Sequence, residues 1–247
     1  MPQLRAVLFD LDGVLTPTAE VHMRAWARLF EPYAQAHGLA PYTSADYFAH
    51  IDGKPRYDGV ATFLASRGVE LPRGTAEDAP GEDTACALGN RKDEIVNRMF
   101  ETEGIDPYPG SVRFLDAVTA AGAQVAVVSS SRNAPSVLAA AGIADRFAVV
   151  VDGNVASREG IAGKPAPDTY QRAAELLGVA QAEAIVVEDA ISGVQAGAAG
   201  DFGLVLGVDR GVGADVLREH GADVVVADLG ELDATVLDAT VLDGGDA

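Results

Sequence analysis

The sequence predicts an α/β protein built on a doubly wound parallel sheet, with a helical unit inserted after the first strand. Three observations carry this. Six short, nearly unbroken apolar runs read as strands buried on both faces rather than one. Helical patterns separate most of those runs, the alternation that gives right-handed crossovers and a parallel sheet. The alternation stops between about Pro17 and Ile105 and resumes at Pro107-Tyr108-Pro109-Gly110, a cluster of turn residues.

The elements follow in order. Leu4–Phe9 is the first strand. Four helical patterns come next: Ala19–Ala36, Ser44–His50, Asp58–Arg67 and Ala85–Thr102. Between the last two lies a polar loop rich in glycine, proline and acids. Helix Ser111–Ala121, strand Gln124–Ser129, helix Pro135–Ala141 and strand Ala148–Val151 then restore the alternation. Helix Pro167–Leu177, strand Ala184–Val187, helix Gly193–Ala199, strand Gly203–Gly207, helix Ala214–His220 and strand Asp223–Val226 complete it. Gly122, Gly142, Gly178, Gly200 and Gly221 each follow a helical pattern, where a capping glycine belongs. The expected organisation is a Rossmann-like core of residues 1–17 and 106–247 around a helical domain of residues 18–105. Asp228–Ala247 holds six acids and no base and reads as a short acidic extension, partly disordered.

Composition narrows the function. The 247 residues carry 37 acids against 18 lysines and arginines, a formal net charge of −19. That charge argues against a nucleic-acid partner or an anionic membrane surface. No run approaches the ~18 apolar residues of a membrane span, and the N-terminal segment carries no signal-peptide pattern. The one cysteine, Cys86, excludes an internal disulfide framework and agrees with a reducing, cytoplasmic setting. Nothing demands more than a monomer. Only three of the basic residues are lysines, Lys54, Lys92 and Lys164. Where arginine fills nearly every basic position, a lysine is of interest for its compact charge.

In open parallel sheets, ligands bind outside the carboxyl ends of the strands. The first strand ends in Asp10-Leu11-Asp12-Gly13, the second in Ser129-Ser130-Ser131-Arg132-Asn133, and Ala184–Val187 runs into Glu188-Asp189. Lys164 lies in Gly163-Lys164-Pro165, just before the Pro167 helix. Four carboxylates, a hydroxyl and one lysine thus converge on one edge. Such a cluster needs cations. Mg²⁺, a hard ion that binds few carboxylates together with water and phosphate oxygens, suits it. Ser129 and nearby backbone amides can hold phosphate oxygens. One carboxylate can act as nucleophile, forming an aspartyl-phosphate, and another two residues on can move protons. These are the parts of metal-assisted phosphoryl transfer.

Asp10-Leu11-Asp12-Gly13-Val14-Leu15-Thr16, with Ser129, Lys164 and Glu188-Asp189 in that order, resembles the four-motif set of the haloacid-dehalogenase superfamily. Thr18-Ala19-Glu20-Val21-His22 with Arg24-Ala25-Trp26, Lys164-Pro165-Ala166-Pro167-Asp168 and Glu188-Asp189-Ala190-Ile191-Ser192-Gly193 resemble its β-phosphoglucomutase subfamily. The resemblance covers nearly the whole chain. It implies a core with a helical cap, and a small phosphorylated sugar as substrate. It implies Asp10 as nucleophile and Asp12 as general acid/base with its carbonyl on Mg²⁺. Asp189 would be a direct metal ligand and Glu188 a metal-site partner. Ser129 and Lys164 would bind the transferring phosphate; Asn133, with Arg132 nearby, would help hold the non-transferring one. Thr18 and His22 would sit near the hinge, with His22 steadying the active position of Asp12 or simply packing in the core. Arg56 would clamp the distal phosphate. The cap loop departs from the family in one place: Asp52 stands where a basic residue is usual, and Lys54 is the candidate substitute.

Two enzymatic readings follow, a β-phosphoglucomutase and a small-organophosphate phosphatase with the same nucleophile. A non-enzymatic interaction domain is the third, and it predicts the loss of a catalytic group, whereas all are present. Outside these motifs, Lys92 reads as a solvated helix charge or a partner of Glu94. The role of Gly89-Asn90-Arg91-Lys92 does not follow from the sequence.

Overall fold

A computed structural model describes residues 4–51, 54 and 56–238. In chain order, β1 (Ala6–Phe9) is followed by α1 (Thr18–Ala36) and α2 (Ser44–Asp46), which runs into a π-helical turn, Tyr47–Ile51. Next come α3 (Arg56–Ser66), α4 (Ala85–Glu103), α5 (Pro109–Ala120), β2 (Gln124–Val128) and α6 (Ala134–Ala140). Then follow β3 (Val149–Val151), α7 (Gly153–Glu159), α8 (Asp168–Leu177) and β4 (Ala184–Glu188). The last are α9 (Ile191–Ala199), β5 (Leu204–Val208), α10 (Ala214–Glu219) and β6 (Val224–Val226). The chain divides into two compact units, Met1–Pro17 with Ile105–Ala247, and Thr18–Gly104.

The first unit is a six-stranded, all-parallel sheet of order β3-β2-β1-β4-β5-β6. β1 lies at its centre, paired to β2 through Leu8↔Ala126 and to β4 through Leu8↔Val186. The strand order reverses between β1 and β4, the switch point where such sheets take ligands. Helices cover both faces. Ala6 and Leu8 pack with Tyr170, Ala173 and Ala174 of α8. Phe9 points to the opposite face and meets Phe114 of α5 edge-on at 6.0 Å. Two-sided burial explains why every residue of β1 is apolar.

The second unit has its own core. Trp26, Phe30 and Tyr33 of α1 pack with Phe63 of α3, Leu88 of α4 and Tyr42. Trp26 stacks on Phe30 at 5.3 Å, and Phe30 meets Phe63 at 4.1 Å. The expected helix Ser44–His50 is instead the short α2 and the π-helical turn.

Three further expectations change. α7 has too few apolar positions for periodicity to find it. Its signals are its ends: the Asp152 carboxylate accepts from the amides of Asn154 and Val155, and Gly160 closes it in the left-handed region. Gly200 is not the left-handed cap; Asp201 takes that conformation, at φ 53°. Among the described residues, the acidic extension packs on the core. Leu229, Val236 and Leu237 are buried, the Leu4 amide donates to the Leu237 carbonyl, and Asp228 and Asp233 cap its two 3₁₀ turns. Asp228 and Asp233 thus serve as turn caps beside apolar anchors; residues 239–247 lie outside the described residues. Among the described residues, no helix is long and apolar enough to cross a membrane.

Candidate active site

The site forms where β1, β2 and β4 end side by side. The Asp10 amide donates to the Val187 carbonyl at 2.9 Å, carrying the β1–β4 ladder one residue beyond the strand. The next residues turn tightly: Leu11 O accepts from the amides of Leu15 and Thr16 and from Thr16 Oγ1, and the Gly13 amide donates to Thr16 O. Gly13 is required twice. Its φ is +89°, and a Cβ there would lie 1.9 Å from an oxygen of Asp189. That close approach brings the Asp10–Gly13 loop against the end of β4.

Lys164 joins three strand ends. Its ammonium bonds Asp10 Oδ1 in a short contact, Glu188 Oε1 at 2.5 Å and the Val128 carbonyl at 3.1 Å. Glu188 is almost fully enclosed. Its Oε1 also accepts from Tyr170 Oη at 2.9 Å, and its Oε2 accepts from the amides of Asp189 and Ala190 at 3.1 Å. Gly193 makes room for this carboxylate, because a Cβ there would lie 1.8 Å from it. Ser129 Oγ donates to Asp12 Oδ2 at 3.2 Å and accepts from the Ser131 amide at 3.1 Å. Asn133 is half-buried and Arg132 exposed, both in the loop after β2. The Arg132 carbonyl accepts from Asn154 Nδ2, tying that loop to α7.

The charges show what the site can hold. Burial raises the Asp10 carboxyl well above its ordinary pKa; Lys164 opposes this, while Glu188, Asp12 and Asp189 add to it. Burial lifts Asp189 to about 7, reinforced by Glu188. Burial disfavours the Lys164 ammonium, but Asp10 and Glu188 outweigh it and hold its pKa above the ordinary value. One lysine therefore does not balance this group of carboxylates. Carboxylate oxygens of Asp10, Glu188 and Asp189 lie within 4.8 Å of one another, so the donor set fits a hard, oxygen-binding cation.

In the second unit, Lys92 is buried, which corrects the expectation of a solvated charge. It shares the inward face of α4 with Leu88 and Val96, at a spacing of four that was visible in the sequence. Its Nζ lies 2.6 Å from His22 Nδ1 and 5.2 Å over the Trp26 ring. Burial, then the nearby Arg56 charge, lowers Lys92 to about 7, against the pull of Asp93. Burial, with Lys92 and Arg56, lowers His22 to about 3. Arg56 pairs with Asp93 at 2.8 Å. Thr18 is buried at the start of α1, and Lys54 is exposed. Asp52 lies outside the described residues.

The Gly89–Lys92 stretch now has a local account. A Cβ at Gly89 would strike the Tyr57 ring at 2.6 Å. Asn90 accepts from Tyr57 Oη and donates to the carbonyls of Ala76 and Asp78, holding the acidic loop. Arg91 pairs with Glu82 in a short contact. Tyr170 is the site residue that sequence reasoning missed. It lies on a helix read only for its apolar face, and its partner Glu188 sits at the end of another element.

Comparison with known proteins agrees with this geometry. The family described as hydrolase, haloacid dehalogenase-like hydrolase, matches residues 4–201. A β-phosphoglucomutase of Mycobacterium bovis is 50% identical over 241 residues, covering 93% of this chain and 92% of that protein. Hexitol phosphatase A of Escherichia coli is 33% identical, covering 94% of each. A solved structure from Thermotoga maritima superposes with a TM-score of 0.76 at 27% identity, over 96% of this chain and 99% of that one.

Proposed function

Because the chain belongs to the haloacid dehalogenase-like hydrolase family and is a phosphoryl-transfer enzyme, we propose that it is a Mg²⁺-dependent β-phosphoglucomutase. It interconverts β-D-glucose 1-phosphate and glucose 6-phosphate through an aspartyl-phosphate and a glucose bisphosphate. The carrying observation is that two aspartates two residues apart have different partners, Asp10 under the Lys164 ammonium and Asp12 under the Ser129 hydroxyl. Such a division suits one carboxylate to attack and the other to proton transfer. The choice of a sugar acceptor follows the likeness to the M. bovis enzyme.

Lys164 neutralises and orients Asp10, leaving its other oxygen to attack phosphorus. Phospho-Asp10 donates its phosphoryl group to the free sugar hydroxyl while Asp12 takes the hydroxyl proton. The bisphosphate turns over in the site. Asp10 then accepts the other phosphoryl group, and Asp12 returns the proton to the departing sugar oxygen. Asp10 and Asp189, with the Asp12 carbonyl and with Glu188 as partner, would hold Mg²⁺, which supplies Lewis-acid charge to the transferring phosphoryl group. Ser129 binds a phosphate oxygen. Arg56, with Lys54, takes the distal phosphate, and Asn133 and Arg132 support the non-transferring one. Thr18 and His22 stand at the hinge. The protein works as a monomer in the cytoplasm.

A second reading, a sugar-phosphate phosphatase with water as final acceptor, is favoured by the likeness to hexitol phosphatase A. Incubation with β-glucose 1-phosphate, Mg²⁺ and a bisphosphate primer separates the two. Coupled detection is expected to show glucose 6-phosphate forming well ahead of free phosphate. Free phosphate without glucose 6-phosphate would establish the phosphatase instead. Asp10→Asn is expected to fold normally and to lose turnover.

A further inference from the structure

Arg210 belongs to none of the motifs above, yet it reaches the loop that carries Asp10 and Asp12. It follows β5 directly. Its backbone is fixed by Asp209, whose carboxylate accepts from the amides of Gly211 and Gly213 and whose own amide donates to Val226 O. Held this way, Arg210 Nε donates to the Gly13 carbonyl at 2.9 Å. The guanidinium carbon lies over the Tyr108 ring, 3.8 Å from its centroid, and Nη1 meets the Ala227 carbonyl at 3.3 Å.

The Gly13 carbonyl is the first of three in a row that distant groups hold. The Val14 carbonyl accepts from Ser111 Oγ at 2.6 Å, and the Leu15 carbonyl accepts from the Tyr108 amide at 2.9 Å. Ser111 and Tyr108 belong to one segment, at the start of α5. Arg210 comes from the loop after β5, which only β4 separates from β1 in the sheet, and bears on the residue next to Asp12. That residue, Gly13, is also the one at which a Cβ would lie 1.9 Å from an Asp189 oxygen. Turning the Gly13 peptide would shift both Asp12 and that close approach.

The arrangement is poor value as a stabilising device. Nη2 is buried with no hydrogen-bond partner among the described residues, and the Asp228 carboxylate stands 3.8 Å from Nη1. Arg210 itself is half-buried; a buried donor left without a partner costs stability, and an apolar side chain over Tyr108 would serve packing as well. What a planar cation adds is a donor at a fixed angle, braced by an aromatic face.

We propose that Arg210 is a positioning residue for phosphoryl transfer: braced on the Tyr108 ring, it holds the Gly13 carbonyl and so sets Asp12 relative to Asp10 and Asp189. This rests on the reading of those aspartates as the metal and phosphoryl-transfer site. Small displacements of reacting groups cost up to about a hundredfold in rate. Arg210→Met, assayed below its unfolding temperature, is expected to lower kcat roughly ten- to a hundredfold with KM changed less than about twofold. Mn²⁺ binding to the substrate-free protein, followed by electron paramagnetic resonance, is expected to weaken several-fold. Arg210→Lys, which keeps a donor but loses the planar face, is expected to recover part of both, and it carries the test if Arg210→Met does not fold. A folded Arg210→Met protein with unchanged kcat and Mn²⁺ affinity would overturn the proposal, even if its melting temperature fell. Asp189→Asn is the control. If it abolishes Mn²⁺ binding while Arg210→Met leaves it intact, only the role of Arg210 fails. If Asp189→Asn also leaves binding intact, the reading of the site fails and the proposal with it.

Discussion

Single side chains at both polar centres of this protein are held in states that water would not favour. Lys164 is enclosed with Asp10 and Glu188. Removing the cation from such a group leaves carboxylates buried without compensation, at a cost of about 3–5 kcal/mol. Lys164→Met is therefore expected to unfold at lower denaturant concentration than wild type. Added Mg²⁺ should restore part of the difference in equilibrium urea titrations. Lys92 presents the opposite case, a cation enclosed beside another basic group. Its pKa falls from 10.5 to about 7 on folding. Between those values the unfolded chain binds the proton and the folded one does not, so stability rises with pH across that window. Below about pH 7 the cost of the buried charge is fully present. The groups around it are His22, Arg56, Asp93 and the Trp26 ring. Lys92→Met, which removes that charge, is expected to melt higher relative to wild type at pH 6.5 than at pH 9.5. Thermal scans at the two pH values check the sign. Asp10, Asp12, Ser129, Glu188 and Asp189 were legible in the sequence because each lies at a strand end or in a turn close to one, and Lys164 because it stands in Gly163-Lys164-Pro165 just before a helix, in order with the other motifs. Lys92, Tyr170 and Arg210 were not. Each meets its partner only in the folded chain, and of the three only Lys92 carried a signal, its place four residues from Leu88 and from Val96.

Secondary elements were legible wherever burial is two-sided or periodic. All six strands stand within two residues of their apolar runs, because a strand covered on both faces confines polar residues to its ends, as Gln124 in β2 and Glu188 in β4. The failures have equally local causes. α7 is defined by Asp152 and Gly160 at its ends, not by an apolar face. The short α2 and its π-helical turn deliver Ile51 into the core of the inserted unit instead of extending a regular helix. Helix starts also shape the site. α9 begins directly under Glu188, and the missing side chain at Gly193 lets that carboxylate fold back to the amides of Asp189 and Ala190. Gly193→Ala is expected to displace Glu188, release Lys164 and cost about 1–3 kcal/mol. Activity should fall more than stability, and a urea titration run beside a phosphotransfer assay checks both.

At the scale of the whole molecule, the acidic end closes the core unit. Val236 and Leu237 are buried, and Leu237 O accepts from the Leu4 amide beside the central strand. A chain ending at Asp233 is expected to lose roughly 2–4 kcal/mol from that burial, read as a lower urea midpoint. The net charge of −19 therefore has two structural components besides surface: turn caps in this closing segment, and a carboxylate group built around a cation. The place of β1 in the sheet has a consequence for biosynthesis. Its partners are β2 and β4, whose pairings tie residue 6 to residues 124 and 184. Once synthesised, β1 must therefore wait for neighbours made much later, so the core is a fold of high contact order. The unit Thr18–Gly104 is continuous and has its own core. It is free to fold while the rest is still being translated, which leaves Ala6–Phe9 as the segment a nascent-chain chaperone has most reason to shield.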